Sequence, residues 1–280
     1  MIEKISTIEQ FEIDDGILIK YFGDANVVKI PDNVFCIFDQ AFFRKSHIKS
    51  ITLPDSITEI GDYAFYYCGG FSDLKLPKNL KKIGKFAFST CYFRSLELPH
   101  NVEIIPEHAF SYNGKLKSVI FNKKLKEIGR HAFFCCNSLT EIEIPHSVKV
   151  LPESCFGACR SLTKIKFNIG LEEIGFSAFS NLDSLISVEL PSSLKKLGNS
   201  SFRDSKKLSS IKLNEGLEYI GFDAFSNCKL LKRIEIPSSV KYIKANAIPN
   251  EKGVTVYYKN LEKIPDGWNI GNNVKIQKII

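Results

Sequence analysis

The sequence lacks long apolar runs and blocks of basic residues. No window approaches the roughly 18 uninterrupted apolar residues of a membrane-spanning helix, so membrane insertion is not expected. The opening MIEKISTIEQFEIDDG has no apolar signal-peptide core, which favours a cytoplasmic location, with secretion or the cell surface as the alternative. The 38 basic and 31 acidic residues are well mixed, which predicts solubility and no nucleic-acid binding.

Motifs for catalysis and metal binding are also missing. The eight cysteines include no C-x-x-C pair, and the chain has no Gly-rich phosphate loop. No Ser/His/Asp or Cys/His arrangement stands out among the five histidines. We therefore expect a protein that is not an enzyme, with no metal site and no cofactor.

What the chain has in abundance is self-similarity. An Ala-Phe pair or a close variant recurs ten times, every 23 residues except for one interval of 22. The unit reads A-F-x-x-C-x-x-L-x-x-I-x-L-P-x-x-L-x-x-I-G-x-x. The position that we call the Ala slot is occupied by Ala41, Ala64, Ala87, Ala109, Ala132, Cys155, Ala178, Ser201, Ala224 and Ala247.

Each part of the unit predicts a local structure. The alternating L-x-x-I-x-L segment is typical of a short strand with one buried face, and the Pro or Asn after it ends the strand. Ala, Phe, Cys and Leu at offsets 0, 1, 4 and 7 suit one face of a short helix or 3₁₀ turn. A single unit cannot bury its apolar face, whereas stacked units can.

We expect one domain over residues 1–280, with an N-terminal cap at 1–27, repeats at 28–248 and a C-terminal cap at 249–280.

The unit resembles the 23-residue, BspA-like class of the leucine-rich repeat superfamily, over about Val28 to Ile264. The resemblance implies an α/β solenoid: a curved right-handed superhelix with a parallel concave β-sheet and short strand, helix or 3₁₀ segments on the convex side. It also implies a non-catalytic scaffold that binds a protein ligand, which we expect to act as a monomer. A cell-surface adhesin that binds host or extracellular matrix proteins is the alternative.

Five cysteines recur four residues after the Ala slot, as Cys68, Cys91, Cys136, Cys159 and Cys228. A small residue there tucks inward, and its weak donor can reach a backbone carbonyl. We predict buried free thiols, not disulfides. In the adjacent pair, Cys135 occupies a variable position, so it is expected to be the more reactive of the two.

The outward-facing central column of the predicted strands is a candidate protein-binding surface. It reads Lys29, Thr52, Lys75, Glu97, Ile120, Glu143, Lys166, Glu189, Lys212 and Glu235. From Glu143 onward the charges alternate, which can mean either a self-satisfied charge ladder or a docking face. Ile120 interrupts the column and is a candidate contact point.

A second candidate surface is aromatic. Aromatic residues crowd the first three repeats at positions that are often polar elsewhere: Phe43, Tyr63, Tyr66, Tyr67, Phe86, Tyr92 and Phe93. Exposed aromatic residues are typical of interface anchors, although packing against the N-terminal cap would also explain them. His108 and His131 hold the same position in consecutive repeats and are expected to stack.

Overall fold

Each repeat supplies backbone segments that run parallel to their counterparts in neighbouring repeats. The computed structural model describes residues 4–258 and 265–279, so part of the predicted C-terminal cap and the expected end of the repeat match at Ile264 lie outside the described residues. The chain divides into two compact units, Met1–Leu139 and Thr140–Ile280, and each is a parallel β-solenoid.

In the first unit, an N-terminal hairpin precedes two kinds of repeat strand. The hairpin strands are β1 (Phe11–Asp14) and β2 (Ile17–Tyr21), after a short 3₁₀ turn at Ile8–Gln10. The longer repeat strands, which we call outer strands, are β3 (Val27–Lys29), β5 (Ser50–Thr52), β8 (Ser95–Glu97) and β10 (Ser118–Ile120). The two-residue strands are β4 (Cys36–Ile37), β6 (Glu59–Ile60), β7 (Lys82–Ile83), β9 (Ile104–Ile105) and β11 (Glu127–Ile128).

The second unit repeats this plan. Its outer strands are β12 (Glu141–Glu143), β14 (Lys164–Lys166), β16 (Ser187–Glu189), β18 (Ser210–Lys212), β20 (Arg233–Ile236), β22 (Thr255–Tyr258) and β23 (Lys275–Lys278). Its two-residue strands are β13 (Val150–Leu151), β15 (Glu173–Ile174), β17 (Lys196–Leu197), β19 (Tyr219–Ile220) and β21 (Tyr242–Ile243). The central residue of each three-residue strand points inward and its neighbours point outward, which is the predicted alternation.

The outer strands do not form the continuous sheet that the sequence predicts. Among the described residues they pair in twos, as β3–β5, β8–β10, β12–β14 and β16–β18, with one three-stranded sheet, β20–β22–β23. The two-residue strands form the longer ladders, in the orders β2–β4–β6–β7 and β13–β15–β17–β19–β21. The first ladder stops before β9, where the one short repeat changes the spacing.

Pro and Asn alternate after the outer strands of three pairs, whereas Pro follows both strands of the pair β3–β5, as Pro31 and Pro54. In the pairs β8–β10, β12–β14 and β16–β18, the first strand is followed by Pro and the second by Asn. Asn122 donates its side-chain amide to the carbonyl oxygens of Pro99 and Val102, at 2.6 and 2.8 Å. Proline has no side-chain donor for such a bond. In the Pro repeats a serine hydroxyl instead bonds the repeat before it, as Ser193 does to Leu171 O at 2.6 Å, so the two kinds of repeat differ in how their side chains reach the preceding turn.

The segment around each Ala-Phe pair is a series of hydrogen-bonded turns, and the expected short helix or 3₁₀ segment there is not confirmed. The described residues contain no α-helix. The residue before the Ala slot and the third residue after it adopt left-handed backbone angles in repeat after repeat, as at Tyr63 and Tyr67, with φ of 56° and 59°. Their N–H groups donate to the next repeat, Tyr63 to Lys85 and Tyr67 to Ser89. The N–H groups of Tyr66 and Cys68 donate within the repeat, to Tyr63 and Phe65 at 3.0 and 3.2 Å. The backbone hydrogen bonds are thus divided between the turn and the next repeat, whereas an α-helix keeps them within one segment.

The core of each unit is a stack of phenylalanines. Phe42, Phe65 and Phe88 are fully buried, and their rings stack with centroids 4.9 and 5.2 Å apart. Phe156, Phe179, Phe202 and Phe225 continue the same pattern in the second unit. Ring pairs at these separations add roughly 0.5–1.5 kcal/mol each beyond the burial of area.

The ends differ from the repeats. β1 and β2 pair in an antiparallel hairpin, with positive φ at Asp15 and Gly16, as a type I′ turn requires. β2 also pairs with β4, so the hairpin begins the first ladder of two-residue strands. Near the other end, Trp268 is almost fully buried and donates its ring N–H to the carbonyl oxygen of Val240 at 2.9 Å. The curvature and the right-handed superhelix stay predictions.

Candidate functional site

The four charged residues predicted from the outer strands form two separate ion pairs. Lys166 Nζ lies 3.0 Å from Glu143 Oε2 across the β12–β14 pair, and Lys212 pairs with Glu189 across β16–β18. All four side chains are exposed. The charge ladder is thus satisfied within each pair of strands. Such exposed pairs contribute little stability, so these charges remain available to a partner.

A cleft of about 710 Å³ lies on the outward face of the second unit, next to the second of these ion pairs. Its walls include Glu189, Lys212 and Glu235 of the predicted outward column, together with three residues of the C-terminal sheet that the sequence analysis missed: Arg233, Tyr257 and Tyr258. This volume is within the range of about 300–1,000 Å³ that is usual for ligand sites. The cleft lies where β18 and β20 belong to different hydrogen-bonded sheets.

Arg233 is held in one orientation on this face. Its Nε and Nη2 donate to Glu235 Oε1 at 3.2 and 2.7 Å, and its guanidinium carbon lies 3.9 Å from the centroid of the Tyr257 ring. Hydrogen bonding to Glu235 raises the pKa of Arg233, so its charge is retained. A fixed arginine over a tyrosine is the type of group that dominates binding at protein interfaces. The outward column of the sequence predicted the position of Glu235. It could not predict Tyr257, because that residue comes after the regular repeats end.

Ile120 is on the outward face of the first unit. It is 63% exposed, and its strand partner is Glu97. An isoleucine with this exposure beside a charged residue fits the predicted contact point but does not by itself define a site.

The aromatic residues predicted from the first repeats belong to a larger surface on the turns of the first unit. Tyr63, Phe86, His108 and His131 all precede the Ala slot, and their rings stack at centroid distances of 4.8, 4.3 and 4.6 Å. Phe43 stacks on Tyr66 at 5.3 Å beside this row. We call the whole set the turn-face aromatic surface: Phe43, Tyr63, Tyr66, Tyr67, Phe86, Tyr92, His108, Tyr112, His131 and Phe134.

Phe93 was wrongly included among the exposed aromatic residues. It is fully buried and packs edge-on against Phe110, with centroids 6.3 Å apart. The reason is the short repeat, in which Phe93 lies where the inward leucine of the other repeats is found. Tyr92 is half-buried, and its ring lies so close to Gly69 that a Cβ there would come within 2.7 Å of it.

The rings of Tyr63 and Tyr66 stack on the neighbouring repeats at the distances given above and contact each other edge-on, with centroids 5.7 Å apart. From the N-terminal cap, Tyr21 instead stacks on Phe42 of the buried column, at 5.2 Å. The predicted stacking of His108 and His131 is present, with ring planes 7° apart. Burial and the neighbouring His131 lower the pKa of His108.

The cysteine column lies in the core as predicted. The Sγ atoms of Cys68 and Cys91 donate to the carbonyl oxygens of Phe42 and Phe65, each at 3.0 Å. Asn113 takes the same position in its repeat and donates to Phe88 O at 2.8 Å. All eight cysteines lie in the described part of the chain, and none forms a disulfide bond.

Within residues 4–258 and 265–279, no group of three or more His, Cys, Asp or Glu side chains could hold a metal ion. No helix in those ranges is long and apolar enough to span a membrane.

A comparison of the sequence with models of known protein families identifies the same repeat. The model of the BspA-type leucine-rich repeat region matches residues 36–162 and 126–255, with six copies. The chain belongs to this family. Leucine-rich repeat proteins are generally interaction scaffolds and not enzymes. No curated protein matches the chain.

Solved structures of bacterial leucine-rich repeat proteins share the fold. A protein from T. pallidum is 26% identical, with a TM-score of 0.59, covering 73% of this chain and 91% of that protein. One from Eubacterium ventriosum is 17% identical, with a TM-score of 0.57, covering 96% and 93%. A protein from Faecalibacterium prausnitzii, described as a leucine-rich cell surface protein, is 22% identical, with a TM-score of 0.53, covering 93% and 90%.

Proposed function

We propose that this chain is a non-catalytic scaffold that binds a protein ligand on the outward face of its outer strands and on the turn-face aromatic surface. The observation that carries the proposal is the cleft of the second unit. There an arginine fixed over Tyr257 lies beside the exposed Glu189–Lys212 pair. Paired charges around an aromatic anchor favour specific docking of another protein, because a wrong partner leaves charges unmatched.

The test exchanges charges without removing an ion pair. The double variant Glu189→Lys with Lys212→Glu keeps a salt bridge between β16 and β18 but inverts the charge pattern of the cleft. The matched control is Glu218→Lys with Lys241→Glu, which inverts a pair that lies 2.7 Å apart beside the two-residue strands. Affinity capture from the source organism, followed by mass spectrometry, compares both with the wild type.

We expect the wild type and the control to recover the same partner and the cleft variant to lose it. If all three proteins recover the same set, the outward face is not the binding site. Size-exclusion chromatography with light scattering checks the expectation that the scaffold acts as a monomer.

The location separates the two versions of this function. The buried thiols of Cys68, Cys91, Cys155 and Cys228 are typical of a reducing compartment, which supports a cytoplasmic scaffold. The relative from Faecalibacterium prausnitzii is described as a cell surface protein, which favours the alternative of an adhesin that binds host or matrix proteins. Protease treatment of intact cells decides between them, because only a surface protein is degraded.

A further inference from the structure

The second unit has no aromatic residue at the positions of the turn-face aromatic surface, although the turns are the same; its exposed Phe176 and Phe222 lie one position earlier. Where the first unit has Tyr63 and Tyr67, the second has small or polar residues such as Ser154 and Asn181. These residues have the same left-handed backbone, and their N–H groups donate to the next repeat in the same way. The turn itself therefore does not need aromatic rings.

The rings also occupy one another's faces. Because Tyr63, Phe86, His108 and His131 form one stack, their flat sides cover one another instead of facing solvent. Phe86 and His108 are covered on both sides in this row, so the ribbed surface offers no free ring face there on which a base or sugar could stack. It suits the apolar side chains of a peptide, which can lie between the ring edges. Tyr67 and Tyr112 are its most open members, at 46% and 47% exposure.

Two cations beside the rings have no acidic partner. The guanidinium of Arg44 lies 5.7 Å from the Phe43 ring centroid and 6.0 Å from that of Tyr67, and the Lys115 ammonium lies 5.9 Å from that of Tyr92. In the described part of the chain, no carboxylate lies within 4 Å of either cation.

The nearby carboxylates are already used by the fold. Asp39 accepts a hydrogen bond from the backbone N–H of Asp62, and Asp62 accepts one from Lys85, at 2.7 and 2.6 Å. Glu107 lies 3.8 Å from the Lys85 ammonium. Arg44 and Lys115 lie directly beside the rings of Tyr67 and Tyr92, so a partner that reaches these rings meets two cations and is best matched by negative charge.

We propose that the turn-face aromatic surface binds a peptide segment in which acidic residues alternate with large apolar ones. The apolar side chains lie against the ring edges, and the carboxylates pair with Arg44 and Lys115. This inference builds on the proposed role as a protein-binding scaffold, but it concerns a different surface from the cleft.

The experiment measures the binding of fluorescent synthetic peptides to the intact protein by anisotropy. Three peptides of equal length are compared: one with Glu and Asp among Leu and Phe, one with Lys in place of every acidic residue, and one with the acidic residues among Ser and Gly. We expect measurable binding of the first peptide only, and weaker binding as salt rises.

Two pairs of variants locate the site. Tyr67→Asn with Tyr112→Asn gives these positions the residue that Asn181 provides in the second unit, so the turn is retained. Arg44→Gln with Lys115→Gln removes the cations. Each pair is expected to weaken binding by about tenfold or more, as loss of interface anchors does. The control Asn181→Ser, at the equivalent exposed position of the second unit, is expected to bind as the wild type does.

Any of four results overturns the proposal. Three concern the peptides: equal binding of the acidic and basic apolar peptides, unchanged binding by the tyrosine variants, or no peptide binding at all. The fourth is tyrosine-dependent binding of anionic lipid vesicles without binding of the peptide. None of these results bears on the cleft of the second unit, because the charge exchange at Glu189 and Lys212 tests that site separately.

Discussion

The side-chain amide of Asn168 donates a hydrogen bond of 2.6 Å to the backbone carbonyl oxygen of Pro145, one repeat earlier. The same amide donates to Val148 O at 3.0 Å, and its Oδ1 accepts the N–H of Gly170 at 2.5 Å. One side chain thus closes its own turn and ties it to the turn before. This arrangement, repeated at Asn122, distinguishes the Asn repeats from the Pro repeats.

Replacing this amide by a carboxylate tests its role. Asn168→Asp keeps the acceptor for Gly170 but directs a negative oxygen at two carbonyl oxygens. We expect the free energy of unfolding to fall by about 2–3 kcal/mol, because two carbonyls lose their donor and face a charge instead. Urea denaturation measures the loss. The control Asn181→Asp, at an exposed position, is expected to change stability little, and an equal loss there contradicts the explanation.

The cysteine column predicts which substitutions the core accepts. Cys91 is fully buried and its sulfur donates to Phe65 O, while Ser205 donates to Phe179 O from the same position of a later repeat. We expect Cys91→Ser to cost at most about 1 kcal/mol, because the donor is kept. Cys91→Val is expected to cost roughly 2–3 kcal/mol, since it removes the donor and adds volume. Thermal unfolding of the two variants compares them, and similar losses would mean that the hydrogen bond is unimportant.

The repeat period made most of the fold predictable. Phe and Leu at fixed offsets gave the buried columns, and I-x-L alternation gave the outer strands. A short helix or 3₁₀ segment was expected around Ala-Phe because residues at offsets 0, 1, 4 and 7 also suit a helix. Nothing in that spacing reveals that Tyr63 or Phe86 adopts a left-handed backbone, since neither residue type favours one.

The pairing of outer strands and the cleft were harder to predict. Both Pro and Asn end a strand, so they appeared equivalent until the side-chain amide of Asn122 was seen to bridge two repeats. The central column correctly placed Glu189 and Lys212 on the outward face. It did not predict that Arg233 would be held by both Glu235 and Tyr257, because Tyr257 comes after the regular repeats.

The two adjacent cysteines are expected to differ in reactivity. Cys136 is fully buried, whereas Cys135 is only half-buried at a turn with φ of 60°. Because an alkylating reagent must reach the sulfur, we expect the folded protein to be modified at Cys135 well before Cys136. Peptide mass spectrometry after a short exposure to iodoacetamide identifies the site. Equal modification of both residues would mean that this turn opens.

The buried thiols predict a loss of stability in alkali. Burial raises the pKa of Cys68 and of Cys228 to about 12, from an ordinary value near 9.0. A thiol whose pKa is raised in the folded state favours folding below the unfolded pKa, and this contribution is lost as pH rises from about 9 to about 12. Melting temperatures across this range should fall less steeply for Cys68→Ser than for the wild type. The control Cys135→Ser is expected to follow the wild type, and identical slopes for all three proteins would exclude this cause.

The stacked histidines predict the opposite dependence in acid. Burial, His131 and Arg130 lower the pKa of His108, although Glu107 acts against them. The Nδ1 atom of His108 lies 3.3 Å from the Ser111 hydroxyl oxygen. A histidine whose pKa is lowered by folding contributes stability above its unfolded pKa, and this is lost as pH falls below about 6.5. His108→Phe introduces the residue type found at Phe86, keeps a ring in the stack and cannot take a proton. We therefore expect its melting temperature to fall less between pH 7.5 and 5 than that of the wild type, measured by calorimetry.

His100→Asn, at an exposed turn, is the control, and it should retain the acid sensitivity of the wild type. If the wild type and His108→Phe lose stability in parallel, the ring stack does not sense protonation.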